Sequence, residues 1–241
     1  MRFFQSLDLL PPHFERLEAP SIWLRDFMPL QRSDGNLVGF HYGCLYMHEF
    51  GEELFDNAEI WNQVGLKVLR VPIIADGGHF IETPRHWLAS TAIWGENPTW
   101  SQSEITAVLE RALGKPVLWL KPMPDDFTGH LDGIVRWHKG NELLVYTPLP
   151  GLSVWQKEFG FQLRAAGYSL CEVPTVLSKD LISAEGLILN YVYDGKVHYG
   201  TSLTPVLSDV PYQYISAKNV LKDGGGLHCI TYNFKEYPNQ S

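Results

Sequence analysis

The sequence is short of cysteine, and the thiols it has form no pairing pattern. Cys44, Cys171 and Cys229 are the only ones in 241 residues. They are too few and too widely spaced for a disulfide framework or a C-x-x-C metal site. A reducing, cytoplasmic compartment is therefore the expected setting. The HExxH and paired C-x-x-C patterns of zinc sites are missing too, so no metal and no other cofactor is expected. No G-x-S-x-G elbow occurs, which argues against a serine hydrolase. No apolar run approaches the length of a membrane span. The opening MRFFQSLDLLPP is broken by Asp8 and ends in two prolines, unlike a signal peptide. Positive charge is also scarce: 19 Lys and Arg stand against 27 Asp and Glu, for a formal net charge of −8. Nucleic-acid binding usually leaves a basic patch, so that class of partner is not expected.

Aromatic residues, by contrast, are plentiful: 8 Trp, 11 Tyr and 12 Phe, enough to line a cleft as well as fill a core. The length suits a single domain over residues 1–241. Ser101-Gln102-Ser103-Glu104 reads as a capping box. Ile105, Val108, Leu109 and Ala112 follow at helical spacing, and Gly114 ends the helix before the strand-like run PVLWL. The same order recurs around Leu54, Ala58 and Trp61, with Gly65 and then LKVLRVP. It recurs again around Trp155, Phe159, Leu163 and Ala166, with Gly167 and then YSLCEVP. The three glycines fall about fifty residues apart, the period of a repeated supersecondary unit. Turn signals at Ser33–Asn36, Lys139–Asn141 and Asp194–Lys196 supply candidate hairpins. The expected architecture is α/β, with modules of hairpin, helix and strand. Hairpin starts fall near Trp23, His79, Asp132, Leu187 and Cys229. The last opens so close to the chain end that residues 1–20 must complete its module, or it stays incomplete.

Polar residues gather at these starts: Arg25 and Asp26, Asp76, His130 and Asp132, Asn190, and Cys229. Singly, each has a plain structural explanation, such as a turn aspartate or a satisfied core histidine. Asn190 is odder, because a buried amide in an apolar run needs partners. His130 and Asp132 would share one side of an extended strand, whereas His228 and Cys229 would point to opposite faces. Gly224, Gly225 and Gly226 would let the backbone bend so that Cys229 begins a strand with no side chain in a ligand's way.

In chain order, WLRDFMP, DGGHF, TGHLDG, LILNYVY and GGGLHCIT resemble the agmatine deiminase and Porphyromonas-type peptidylarginine deiminase family. The resemblance runs from about Trp23 to Phe234. It implies the pentein fold, an α/β-propeller of repeated modules, here with the fifth module apparently incomplete. It implies Cys229 as nucleophile, His130 as general acid/base, and Asp26 and Asp132 as guanidinium-binding carboxylates. Asp76, Asn190, Trp23, Arg25, Gly225 and Gly226 would surround the substrate. His79 departs from the family's usual Asn or Ser, and only about twenty residues precede the W-x-R-D segment.

The implied activity is hydrolysis of a guanidine to a ureido product and ammonia through an S-alkylthiouronium intermediate. A planar guanidinium held edge-on by two carboxylates suits such a reaction. A histidine near neutral pKa suits the alternation of acid and base. The partner would be a small cationic guanidino compound or an arginine-containing peptide. Free arginine would want a cation for its carboxylate, and Arg25, Arg85 or Arg136 could provide one. Trp23, Trp94 or Trp137 could present an aromatic face to a cation. Three readings compete: a non-catalytic guanidino-binding relative, an amidinotransferase or dimethylarginine hydrolase on the same fold, and a structural module with a buried free cysteine. An unfinished module would leave an edge strand open to a second copy, so a homo-oligomer is one expected state.

Overall fold

A computed structural model describes residues 17–49, 51, 55–180, 182–207 and 210–232. These residues form four three-stranded sheets, and one wiring serves all four. Two strands make an antiparallel hairpin, and the third lies parallel to the second. A parallel third strand requires a crossover, and in the first three units helices occupy it.

The first unit is preceded by α1 (Leu24–Phe27) and contains β1 (Leu30–Gln31), β2 (Leu37–His41), α2 (Leu45–Glu49), α3 (Asn57–Gln63) and β3 (Val68–Ile74). The second contains β4 (Phe80–Glu82), β5 (Trp87–Ser90), α4 (Ala92–Glu96), α5 (Gln102–Leu113) and β6 (Val117–Leu120). The third contains β7 (Val135–Lys139), β8 (Glu142–Tyr146), α6 (Ser153–Ala165) and β9 (Ser169–Val173). The fourth contains β10 (Val192–Tyr193), β11 (His198–Gly200) and β12 (Tyr212–Tyr214), with α7 (Lys218–Lys222) after its last strand. Among the described residues, no helix is long and apolar enough to cross a membrane.

The local signals act as their chemistry requires. Ser101 accepts from the Glu104 N–H, and Glu104 Oε2 accepts from the Ser101 N–H at 2.8 Å. Gly114 closes α5 in the left-handed region at φ 72°. Ile105, Leu109, Ala112 and Leu113 are buried beneath that helix among Val71, Ile73 and Phe80. All three expected hairpin turns join antiparallel strands. In the third, Asp194 Oδ1 accepts from the Lys196 and Val197 N–H groups while Gly195 takes φ 91°.

Several expectations are corrected. Cys229 lies in a turn over residues 227–230, not at a strand start. His130 and Asp132 occupy the bend before β7, and Asn190 the turn before β10. Asp26 lies on α1. The reason is common to all: side chains that must converge on one point cannot lie along straight strands, whose neighbours point to opposite faces. The fourth unit has no helix between β11 and β12 among the described residues. Glu52–Leu54, residues 1–16 and the end of the chain from Asn233 lie outside the described residues. The expected completion of a fifth module therefore falls mostly outside them.

One packing arrangement matters most for the site. α1 is a single turn, too short to be stable alone, so the first unit holds it. Trp61 Nε1 donates to the Phe27 carbonyl at 2.8 Å, and Asn57 Nδ2 donates to the same oxygen and to the Phe40 carbonyl. The Trp61 ring lies so close to Gly39 that a Cβ there would overlap it. Asn57→Ala leaves two buried carbonyls short of a donor and should cost about 1–3 kcal/mol. Urea unfolding at pH 7 measures this; an unchanged midpoint would show that α1 does not depend on the Asn57 clamp.

Candidate active site

Backbone hydrogen bonds draw the scattered segments together. The Arg25 N–H donates to the Cys229 carbonyl at 3.0 Å, joining α1 to the turn near the chain end. The Gly78 N–H donates to Asp26 Oδ1 at 3.2 Å, and the Gly78 carbonyl accepts from Leu131 at 2.9 Å and Asp132 at 3.3 Å. Glycine is required at 77 and 78 because a Cβ would meet the Arg25 carbonyl or the His130 ring.

Asn190 organises the cysteine turn. Its Oδ1 accepts from the His228 N–H at 2.9 Å and the Cys229 N–H at 3.3 Å, while its Nδ2 donates to Cys229 Sγ at 3.2 Å. The amide read as odd in the sequence therefore spends both ends on the thiol's segment. A Cβ at Gly226 would strike the Asn190 amide, and one at Gly225 would strike the Trp23 ring. Of the three glycines only Gly224 has a positive φ, 98°. Gly225 and Gly226 are thus needed for close approach by Asn190 and Trp23, and the bend alone would not require them.

Asp132 Oδ2 joins the two halves of the site. It accepts from His228 Nδ1 at 2.6 Å and lies 3.8 Å from Cys229 Sγ. In a turn, His228 and Cys229 both reach one carboxylate, contrary to the opposite faces a strand would impose. Burial, with Arg25 and Arg136 nearby, pushes His228 down to about 3, so its ring is neutral and donates. Burial opposes the charge on Asp132, yet the His228 hydrogen bond takes its pKa down to about 2.

The other charges behave differently. Asp26 is raised to about 8 by burial and by the neighbouring Asp76 and Asp132, against the pull of His130. His130 rises to about 10: burial disfavours its charge, but Asp26, Asp76 and Asp132 outweigh that cost. Its Nδ1 lies 3.8 Å from Asp26 Oδ1 and its Nε2 lies 3.3 Å from Asp76 Oδ2. Burial, then Asp132 and Asp26, push the Cys229 thiol well above its usual value, partly offset by hydrogen bonds from the Gly226 and Asn190 donors. With no cation bound, the thiol is protonated at neutral pH.

A cavity of about 710 Å³ opens onto this centre, lined by Trp23, Asp26, His130, Asp132, Asn190, Gly225, Gly226 and Cys229. These sequence-predicted residues line one cavity. Asp76 and Arg25, expected beside the substrate, do not line it. Asp76 is completely buried and meets Tyr46 and His130. Arg85 packs over Tyr168 and Arg136 over Tyr191, so none of the three arginines considered for a substrate carboxylate faces the cavity. Among the described residues, Lys179 is the lysine or arginine on its lining. Trp94 meets the Trp119 ring at a tilt of 53°, and Trp137 donates to the Gly140 carbonyl.

His79 does not line the cavity either. Its Nδ1 accepts from the Asp76 N–H at 3.0 Å, which leaves Nε2–H to donate to the Thr128 carbonyl at 3.1 Å. Two triads, Cys44–Asp76–His79 and Asp26–Asp76–His130, hold donor atoms close enough to share an ion. In the first, both imidazole nitrogens are already committed to the backbone. Sequence reasoning missed Tyr46, His228 as the partner of Asp132, and Tyr146. The Tyr146 hydroxyl donates to the Gly133 carbonyl and accepts from the Leu189 N–H, tying the Asp132 bend to the Asn190 turn. Nothing in their local sequence marks these roles; their partners are distant in the chain.

Repeated hairpin-and-parallel-strand units with a buried Cys–His–carboxylate centre give the described residues an α/β fold of the kind seen in solved deiminases. The family model for Porphyromonas-type peptidyl-arginine deiminase matches residues 5–152, more than half of the chain, which belongs to that family. Three solved structures illustrate the shared fold. A putative arginine deiminase from Porphyromonas gingivalis is 18% identical over 96% of this chain and 81% of its own, with a TM-score of 0.75. An agmatine deiminase from C. jejuni with substrate bound is 17% identical over 86% of this chain and 71% of its own, at 0.70. The agmatine deiminase of Enterococcus faecalis is 15% identical over 86% and 73%, at 0.66. No curated protein matches the chain.

Asp132 is ionised and is the foremost charge raising the Cys229 pKa. Asp132→Asn keeps an oxygen for His228 and removes the charge, so the thiol pKa should fall. Iodoacetamide alkylation of Cys229 at pH 8, followed on its own peptide because Cys171 is exposed, should accelerate by up to about tenfold per unit of decrease. An equal or slower rate would discount the charge of Asp132.

Proposed function

We propose that this protein hydrolyses a guanidine group to a ureido product and ammonia, with Cys229 as nucleophile. The observation that carries this reading is the convergence of Cys229, His130, Asp26, Asp132 and Asn190 on the lining of one cavity. Family membership supports the reaction class. Agmatine is the substrate type most in keeping with the similar agmatine deiminases, and among the described residues Lys179 is the sole lysine or arginine on the lining to meet a free amino acid's carboxylate. We read residues 1–241 as one catalytic domain whose sheets are successive blades of a pentein α/β-propeller.

The charges of the site create their own requirement for a cation. Two carboxylates facing the cavity raise the thiol pKa, and Asp26 itself retains a proton near neutrality. A guanidinium between Asp26 and Asp132 would ionise Asp26 and form paired charge-assisted hydrogen bonds. The bound positive charge would also lower the Cys229 pKa, so thiolate forms where substrate is present.

The thiolate adds to the guanidinium carbon, giving a tetrahedral adduct. His130, protonated by its carboxylate neighbours, gives a proton to the departing nitrogen, and ammonia leaves as the C–N bond breaks. The resulting S-alkylthiouronium is attacked by water, with His130 now accepting the proton. Collapse of the second adduct breaks the C–S bond as its hydroxyl gives up its proton to solvent, and returns the Cys229 thiolate with the ureido product. The Asn190 amide donor steadies sulfur as its charge changes.

Ammonia and ureido-product release from agmatine, arginine and a peptidyl-arginine should fall by at least about a thousandfold in Cys229→Ala. His130→Ala should fall similarly and accumulate an adduct visible by intact mass. Turnover that survives in Cys229→Ala removes the thiol from the mechanism. Guanidino-compound binding without ammonia release from wild type would leave a binding protein instead.

A further inference from the structure

Tyr46 is absent from the motifs that carry the family resemblance, yet it touches every part of the proton-handling pair. Its hydroxyl donates to Asp76 Oδ2 at 2.6 Å, and the same oxygen lies 3.3 Å from His130 Nε2. Its ring meets the His130 ring edge to face at 6.1 Å and the Phe127 ring at 5.8 Å. Tyr46 lines the cavity, whereas Asp76 has no exposed surface. α2, which carries Tyr46, is only five residues long. Its start is tied down by Glu96 Oε2, which accepts from the Leu45 N–H at 2.7 Å.

We infer that Tyr46 is a positioning residue: its hydroxyl holds the Asp76 carboxylate in line with His130 Nε2, and so fixes the orientation of the His130 ring that lines the cavity. This rests on the guanidine-hydrolysis reading above. The logic is that of a carboxylate fixing the far nitrogen of a catalytic imidazole, with a further donor fixing the carboxylate. A buried carboxylate bearing one imidazole on one oxygen could rotate and lose its alignment. A second, shorter hydrogen bond to that oxygen prevents this. Burial and the Asp76 charge push the Tyr46 hydroxyl well above its usual pKa, so it remains a donor. Burial opposes charge on Asp76, but bonds from His130 and Tyr46 hold it below the ordinary carboxylate range.

The groups facing this pair come from several elements. They are Asp26 on α1, Cys44 and Tyr46 at α2, Asp76 with His79 at the 77–79 turn, Glu96 on α4, and Asp132 beside His130. Only Tyr46 can lose its hydrogen bond while keeping its shape, because phenylalanine preserves the ring.

Tyr46→Phe leaves Asp76 ionised but frees its carboxylate to turn away from His130 Nε2, and so should lower the His130 pKa by about one unit. For turnover, kcat should fall about tenfold with KM within about twofold, and the basic limb of kcat/KM should move to lower pH by a similar unit. The His130 imidazole titration, followed by NMR in the substrate-free protein, should show the same downward displacement. Tyr46→Leu, which loses ring and hydroxyl together, should shift the titration no less than Phe does. An unmoved His130 titration in Tyr46→Phe, with loss of rate only in Tyr46→Leu, would reduce Tyr46 to packing and overturn the proposal. If wild type releases no ammonia from any guanidine, the functional reading fails. The NMR displacement then still upholds the Tyr46–Asp76–His130 linkage, and its absence overturns it.

Discussion

Three carboxylates buried within one small volume set the terms for the rest of the molecule. Asp26, Asp76 and Asp132 are each at most 7% exposed, and like charges removed from water repel one another strongly. Each is accommodated differently. Asp132 accepts a short hydrogen bond from a neutral histidine and stays ionised. Asp76 is held by Tyr46 and His130 and stays ionised. Asp26, bonded to a single backbone N–H, shifts its pKa upward instead. The charged imidazolium of His130 compensates the set, and the remaining negative potential faces the cavity. In the proposed function, a guanidinium would complete that balance.

Holding such a group in place needs backbone rigidity from every unit. α1, the Gly78 turn, the His130–Asp132 bend, the Asn190 turn and the Cys229 turn are linked by backbone or amide hydrogen bonds across large sequence separations. Glycines sit where the segments come closest, because a single methyl group at 77, 78, 225 or 226 would push one segment off another. The sheets behind them contribute little chemistry. They fix the spacing of the turns, much as a rigid scaffold positions functional loops.

The local rules were legible in the primary structure. The capping box at Ser101, the left-handed Gly114, the three hairpin turns and the repeat of hairpin, helix and strand all depend on neighbours within a few residues. Chemical identity was legible as well: Cys229, His130, Asp26, Asp132 and Asn190 could be picked out by residue type and order. What local pattern misread was conformation at those residues. Apolar neighbours such as the LILNYVY run suggested strands, while the need to converge on one point produced turns.

The sequence by itself determined the inventory of reactive groups, the repeated unit and the family to which the chain belongs. Those depend on composition and short-range periodicity. Only the tertiary structure decided which carboxylate faces the cavity, which stands behind His130, and which histidine is neutral. Burial and distance set a pKa, and both depend on residues remote in the chain. Asp76 and Asp132 are alike as letters; the Tyr46 hydroxyl behind one and the His228 ring beside the other give them different tasks.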